Sequence, residues 1–252
     1  MVPSGAHLLD VRLPEPAFGV VTTRRGGTSA APWESANLAL HTGDQPDTVQ
    51  ANRELLAGRL GLTARDLTFG EQVHGASVRV VERPSARGRG PGLAATDGLV
   101  TTRTGMALVM MGADCPPVLM ADPVAGVVGV AHVGRQGLVT GVLLELLRVM
   151  VTRGAEPEAI TAVVGPGACG RCYELPTELA DDVERLAPGS RSRSAQGTAS
   201  VDLLAGVTAQ LRRAGVEAVR SVGGCTVEQP DLLFSYRRDG VTGRHAGIVL
   251  LR

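Results

Sequence analysis

The chain has 252 residues, of which 44% are apolar and 20% are charged, and its formal net charge is zero. This length and composition can fill a complete hydrophobic core, and the neutral charge does not favour a nucleic-acid partner. All 25 basic residues are arginine, which excludes mechanisms that need a catalytic lysine, such as Schiff-base chemistry or a standard P-loop.

The pattern of apolar residues predicts the compartment. The N-terminal segment has no basic region followed by an apolar region, and no stretch reaches about 18 uninterrupted apolar residues, so neither a signal peptide nor a membrane span is predicted. Four cysteines in a chain of this length do not make a disulfide framework. We therefore expect a cytoplasmic protein with no membrane partner.

The first part of the chain predicts two strands and a helix. Phe18–Thr23 alternates weakly and predicts a strand, which is followed by the cationic turn Arg24–Gly27. Adjacent glycines and arginines could approach an anion closely, although a solvated turn is the simpler interpretation. Helical spacing of apolar residues predicts a helix that begins near Pro46. Val78–Val81 predicts a second strand, with His74 beside it.

The centre of the chain carries the strongest pattern. Two short apolar runs, Met106–Met111 and Val127–Val133, predict buried strands that neighbour one another. Pro116 and Pro117 force the backbone to turn after the first run, which holds Cys115 at a strand end. His132 lies at the end of the second run. The sequence therefore predicts that a thiol and an imidazole meet there.

The remaining elements mix helices and strands without a regular alternation. They predict one α+β domain, residues 1–252, with mixed β-sheets covered by helices. The predicted segments are an exposed loop at Arg83–Thr96, helices at Leu138–Thr152, Glu178–Leu186 and Asp202–Ala214, strands at Ile160–Val164 and Ile248–Leu251, and a polar loop at Ala187–Ser200.

One cysteine and two histidines fit the ligand count of a catalytic zinc site. Such a site has three protein ligands and an open fourth position, and Cys115, His74 and His132 supply one thiolate and two imidazoles. Asp114 is placed in sequence to orient a ligand or to act as a general acid or base. A buried thiol and a core histidine remain the alternative. Cys169-Gly170-Arg171-Cys172 has the CxxC spacing, but without a second such pair a zinc knuckle is not expected.

A series of motifs in one order resembles the YfiH-type family, whose members are also described as multicopper polyphenol oxidase or laccase domains. The resemblance implies purine nucleoside phosphorylase and adenosine deaminase activity, with zinc bound by His74, Cys115 and His132. The matching motifs are Thr23–Ser29, Asn37-Leu38, His41, Gly43-Asp44, Asn52-Arg53, Gln72–Gly75, Thr96–Gly98, Ala113–Pro117, Ala131–Gly134, Gly165-Pro166, Tyr173-Glu174, Cys225-Thr226, Ser235–Arg238 and Thr242–Arg244.

Two features of the sequence limit what the resemblance implies. Family members often have Trp-Arg where this chain has Arg135-Gln136, so a stacking surface and a cation beside the zinc ligand are altered, although Arg135 could restore the positive charge. Laccase chemistry needs many histidines, but the chain has five and no His-x-His pair. Copper is therefore not expected.

The leading hypothesis is a zinc-dependent enzyme acting on purine nucleosides, which catalyses phosphorolysis with phosphate, adenosine deamination at the same site, or both. Phosphate needs cationic donors. The candidates are Arg24, Arg53, Arg238 and Arg244, each of which could instead be a solvated surface arginine.

Two alternatives remain open. Some relatives are described as peptidoglycan editing factors, which would fit an amide hydrolase that uses Cys115 as its nucleophile and His132 or His74 as the base. A non-catalytic module with a structural zinc is the other alternative. It would need a fourth protein ligand, for which His41 and Cys225 are candidates.

Overall fold

Two large β-sheets pack face to face in the computed structural model, which describes residues 7–84 and 90–252. The five-stranded sheet has the order β1-β2-β13-β6-β3 and the six-stranded sheet the order β12-β9-β7-β8-β5-β4, while β10 and β11 form a separate hairpin. The strands are β1 (Leu8–Asp10), β2 (Ala17–Thr22), β3 (Leu67–Phe69), β4 (Val78–Val80), β5 (Gly98–Thr101), β6 (Ala107–Gly112), β7 (Pro117–Asp122), β8 (Val127–His132), β9 (Thr161–Val164), β10 (Arg191–Arg193), β11 (Ala199–Val201), β12 (Ala218–Ser221) and β13 (His245–Leu251).

Helices cover the outer faces of both large sheets. Alternate residues of each strand point to opposite faces, so Leu108 and Met110 lie between the sheets while Val109 and Met111 face α1. The outer face of the six-stranded sheet packs against α2 to α5. This confirms the predicted α+β domain of mixed sheets covered by helices. The helices are α1 (Pro46–Arg59), α2 (Arg135–Thr140), α3 (Val142–Val151), α4 (Thr177–Leu186), α5 (Leu203–Arg213) and α6 (Tyr236–Asp239).

The structure corrects the predicted pairing at the centre of the chain. Both apolar runs are buried strands, but β6 belongs to the five-stranded sheet and β8 to the six-stranded sheet. The strands that pair with β8 are β5 and β7, and the sequence did not predict β7 because its first residue is Pro117. Proline is tolerated there because it is the first residue of the strand. Cys115 therefore lies where the chain crosses from one sheet to the other.

Two other predicted elements differ from the structure. The helix predicted at Leu138–Thr152 is divided into α2 and α3 at Gly141, whose φ of +86° is left-handed and ends the first helix. The polar loop predicted at Ala187–Ser200 contains most of the β10–β11 hairpin. Residues 85–89 of the loop predicted at Arg83–Thr96, and residues 1–6 at the N-terminus, lie outside the described residues. Within the described ranges, no helix is long and apolar enough to cross a bilayer.

His245, the first residue of β13, predicts that the fold loses stability in acid. Its ring is fully buried and neither ring nitrogen has a hydrogen-bond partner. Burial, together with the charge of Arg244, lowers the pKa of His245 to about 3. The unfolded chain keeps a histidine pKa of about 6.5, so below that pH protons bind preferentially to the unfolded state. The free energy of unfolding should therefore fall by about 2 kcal/mol between neutral pH and pH ~5 from this residue alone.

Urea unfolding at both pH values, in the presence of a metal chelator, measures this effect. His245→Leu should lack the pH-dependent loss of stability, whereas His7→Leu, at an exposed histidine, should retain it. An unchanged pH dependence in His245→Leu would contradict the assignment.

Candidate metal centre and pocket

The antiparallel register of β7 and β8 brings Cys115 and His132 together. Pro117 at the start of β7 pairs with His132 at the end of β8, and the Val133 amide donates to the Pro116 carbonyl at 3.0 Å. Cys115 lies two residues before Pro117, so its side chain is held beside the His132 ring. The predicted meeting of thiol and imidazole is therefore present, although through β7 instead of β6.

Asp97 positions both histidines. Its carboxylate contacts His132 Nδ1 at 3.0 Å and accepts backbone hydrogen bonds from Val73, His74 and Gly75 at 3.1, 3.0 and 2.9 Å. These bonds hold the His74 backbone in a left-handed conformation with φ of 61°. Because Asp97 accepts from Nδ1, the Nε2 atom of His132 is left to act as a ligand.

The three side chains form a compact cluster. The ligand atoms of His74, Cys115 and His132 all lie within 4.8 Å of one another, and the two histidine rings meet edge to face with centroids 4.8 Å apart. Gly134 permits this approach, because a Cβ there would lie 2.8 Å from Cys115 Sγ and 3.0 Å from His74 Cδ2. In the described part of the chain, this cluster has no fourth His, Cys, Asp or Glu ligand. Its donor set fits a metal with an open coordination position.

The cluster also stabilises the thiolate. Burial would raise the pKa of the Cys115 thiol, but the charge of His132 and hydrogen bonds from His132 and His74 lower this pKa to about 6. Burial would likewise lower the pKa of His132, whereas the charge of Cys115 and the hydrogen bond with Asp97 raise it to about 9. The metal-free site therefore favours a thiolate and an imidazolium at neutral pH. The thiolate is the form that binds metals and attacks electrophiles.

Asp114 lines the cavity beside Cys115, and its expected role as a general acid or base, or in orienting a ligand, stays a prediction. Its carboxylate accepts hydrogen bonds from Thr226 Oγ1 at 2.6 Å and from the Arg237 amide at 2.7 Å. It thereby ties the loop of Cys115 to the segment that carries α6. The contact with a histidine of the cluster is made by Asp97, which was identified from the sequence only as part of the Thr96–Gly98 motif. Asp97 directly precedes β5, which pairs with the strand that ends at His132. This position of a carboxylate in the sequence was the signal that could have identified it.

The cluster lies in a cavity of about 810 Å³. Three arginines line it: Arg135 at the start of α2, Arg237 in α6, and Arg244 just before β13. The Arg237 guanidinium lies 4.6 Å from the centre of the Tyr173 ring, and Arg244 lies 6.0 Å from that of Tyr236. The volume is in the range of small-ligand sites, and the lining combines cations with aromatic faces.

Only one of the four arginines expected to bind phosphate lines this cavity. Arg244 does so, whereas Arg24 donates to the carbonyls of Glu34 and Pro230, and Arg238 donates to those of Thr226 and Leu233. Arg53 is fully buried under Phe69. These three arginines donate to backbone carbonyls that lie from 5 to 206 residues away in the chain, and no sequence pattern shows such hydrogen bonds. The other two arginines that line the cavity are Arg135 and Arg237.

The two residues proposed as a fourth ligand lie in different parts of the structure. His41 lines the cavity, and Cys225 lies instead in a second cluster with Cys169 and Cys172. Gln72, from the same motif as His74, lines the cavity as well and is paired with the Met111 backbone through both atoms of its amide.

The fold and the site define a class: an α+β domain whose two packed sheets hold an open two-histidine, one-cysteine cluster in a basic cavity. Residues 18–252 match the family described as multi-copper polyphenol oxidoreductase laccase, and the chain belongs to this family. The resemblance to YfiH-type proteins is thereby confirmed.

Curated relatives and solved structures agree with this assignment. The chain is 49% identical over 230 residues to purine nucleoside phosphorylase ORF3 of Streptomyces griseus, which covers 91% of this chain and 92% of the relative. It is 36% identical to purine nucleoside phosphorylase YlmD of Bacillus subtilis over 88% of this chain and 84% of the relative. The crystal structure of YfiH from Bacillus licheniformis superimposes with a TM-score of 0.91 at 30% identity, over 98% of this chain and 97% of that one.

Replacing Asp97 with asparagine should weaken metal binding. The amide keeps one acceptor oxygen, so His132 and the backbone around His74 lose part of their support. We expect metal affinity to fall about 10- to 100-fold, as measured by competition with a chromophoric chelator. Asp122→Asn is a matched control, because Asp122 is also buried and accepts backbone hydrogen bonds from Val124, Ala125 and Glu156. Equal affinities of the two variants would contradict the role of Asp97.

Proposed function

We propose that this protein is a zinc-dependent purine nucleoside phosphorylase. The observation that carries the proposal is the open cluster of His74, Cys115 and His132 in a cavity lined by three arginines. Relatives named purine nucleoside phosphorylase, 36 to 49% identical over most of the chain, support it.

The residues of the cavity have different roles in the proposed reaction. Arg135, Arg237 and Arg244 bind phosphate through charge-assisted hydrogen bonds. Tyr173 and Tyr236 offer faces against which a purine can stack. A phosphate oxygen bonds to the ribose C1′ as the bond to the purine nitrogen breaks. The electron pair leaves with the base, whose nitrogen takes up the proton that the phosphate loses. The products are ribose 1-phosphate and the free purine.

His74, Cys115 and His132 would hold the zinc ion, which supplies Lewis-acid stabilisation of negative charge when bound. The deprotonated thiol and the Asp97-oriented imidazole are the ligand forms that zinc needs. The open position of the cluster argues against a purely structural zinc, since structural sites have four protein ligands. Adenosine deamination, which the family resemblance implies, would use the same position.

The family description names copper, but the residues fit a multicopper centre poorly. The chain has five histidines. Among the described residues, only His74 and His132 belong to a cluster of three or more metal-ligating side chains. A trinuclear copper centre needs many more imidazoles than this.

A second candidate function is favoured by the contacts of His132. Its Nδ1 contacts a buried Asp97, and its ring lies beside Cys115, with a ligand nitrogen within 4.8 Å of the thiol sulfur. This is the order of nucleophile, base and orienting carboxylate found in cysteine hydrolases. A cysteine-dependent amide hydrolase, as in peptidoglycan precursor editing, would use the metal-free form of the cluster.

Turnover of adenosine and inosine with and without phosphate, measured together with metal content, tests these functions. Stoichiometric zinc and release of free base that depends on phosphate are expected. Release of ammonia from adenosine without phosphate would add deamination. Metal-free protein with an alkylatable Cys115 and no nucleoside turnover would overturn the proposal and favour the hydrolase.

A further inference from the structure

A second cluster of metal-ligating side chains lies outside the cavity. The thiol sulfur atoms of Cys169, Cys172 and Cys225 are all within 4.8 Å of one another, and none of them is in a disulfide. The sequence did not predict a zinc site at the CxxC pair, because the chain has no second such pair. The fold supplies a partner from 53 residues further along the chain, since Cys225 follows Cys172 by this distance.

Backbone pairing holds the third cysteine in place. Gly167 and Cys225 form a parallel bridge, in which the Gly167 amide donates to the Gly224 carbonyl at 3.2 Å and the Thr226 amide donates to the Gly167 carbonyl at 3.1 Å. Gly223 and Gly224 both have left-handed φ, of +87° and +78°, so the chain bends sharply just before the thiol. The position of Cys225 is thus fixed by the backbone and does not depend on a bound ligand.

The CxxC segment turns its two thiols to the same side. The amides of Cys172 and Tyr173 both donate to the Cys169 carbonyl, at 2.9 and 3.0 Å, which closes a tight turn. Cys169 and Cys172 are half-buried and Cys225 is buried, so the cluster lies just below the surface and remains reachable. Glu228 Oε1 lies 3.8 Å from Cys172 Sγ and offers a carboxylate as a fourth ligand.

We propose that Cys169, Cys172 and Cys225 bind a second metal ion, zinc or a similarly thiophilic divalent cation, with Glu228 or water as the fourth ligand. Three thiolates suit such an ion, and a Cys-x-x-Cys turn with a distant third cysteine is a ligand arrangement found in structural zinc sites. Each thiol releases its proton to solvent as its bond to the metal forms, with no change of oxidation state.

The position of this site gives it a structural consequence. Tyr173, which lines the cavity, directly follows Cys172, and Thr226, which donates to Asp114, directly follows Cys225. A metal bound here would cross-link the segment that leads into Tyr173 to the segment that holds Asp114, and both Tyr173 and Asp114 line the cavity. The inference stands on the thiol cluster alone and holds whether or not the cavity catalyses phosphorolysis.

Metal analysis of the full chain tests the proposal. The protein is loaded with zinc under reducing conditions and then mixed with a chromophoric chelator that takes up loosely bound metal. It should retain two equivalents of zinc. Cys225→Ser and Cys169→Ser should each retain only the equivalent bound in the cavity. Cys115→Ser should retain only the equivalent bound by the three cysteines, and Cys115→Ser/Cys172→Ser should retain neither. In cobalt-substituted protein, Cys115→Ser should keep the stronger thiolate-to-cobalt absorption, because three thiolates remain on its metal, and Cys225→Ser should not.

A measurement on the unmodified chain covers the case in which a variant does not fold. Cys169 and Cys172 should resist alkylation until a strong chelator is added, as mapped by peptide mass. The proposal would be overturned if the unmodified chain retained a single equivalent of zinc and only Cys115→Ser lost it. Alkylation of Cys169 and Cys172 at the same rate with and without the chelator would overturn it too, as would a Cys169–Cys172 disulfide in protein purified without oxygen.

Discussion

Replacing Cys115 with serine should remove the metal from the cavity cluster and lower kcat/KM for phosphorolysis by about 1,000-fold or more. Serine is close to cysteine in size, so the loop between β6 and β7 keeps its shape. The hydroxyl does not ionise at neutral pH, so the cluster loses its one anionic ligand. Metal content by mass spectrometry and steady-state kinetics with inosine and phosphate measure the effect.

Two controls accompany this substitution. Wild-type protein stripped of metal should resemble Cys115→Ser in both turnover and thermal unfolding, because both lack the metal at the same site. Cys169→Ser should keep the metal of the cavity, since its thiol belongs to the other cluster. Full metal content and wild-type turnover in Cys115→Ser would exclude the cysteine as both ligand and nucleophile.

Replacing Arg53 with methionine should destabilise the fold by about 2 to 4 kcal/mol. The side chain is completely buried, and it donates to the carbonyls of Leu38 at 2.9 Å and Gly90 at 2.8 Å. Its guanidinium lies 3.9 Å from the centre of the Phe69 ring. Methionine fills much of the volume but removes the guanidinium donor from both carbonyls, and it removes the cation–π contact.

Urea unfolding measures this loss against Arg65→Met, an exposed arginine at which the change should stay within about 0.5 kcal/mol. Burial lowers the pKa of Arg53 to about 10, so the guanidinium stays charged at neutral pH while it serves this structural role. The KM for phosphate of folded Arg53→Met should match that of Arg65→Met. A stable variant with a raised KM for phosphate would restore Arg53 as a phosphate ligand.

The local chemistry of the site could be read from the sequence. Short apolar runs bounded by turn residues predicted β6 and β8, and their ends carried Cys115 and His132. Residue type alone identified a thiolate and two imidazoles as the ligand set that zinc prefers. The motif order identified the family, which the family match and the solved structures bear out.

Contacts between segments distant in sequence were decided only by the tertiary structure. No periodicity shows that Asp97 contacts His132 from the residue before the neighbouring strand, or that Arg53 is buried by loops from either side of it in the chain. Cys225 joins Cys169 and Cys172 for the same reason, since a parallel bridge between two loops brings it there. The sequence determines which groups are available, through residue chemistry and local propensity. Which of these groups contact one another depends on how the two sheets pack together, and this packing is a property of the whole chain.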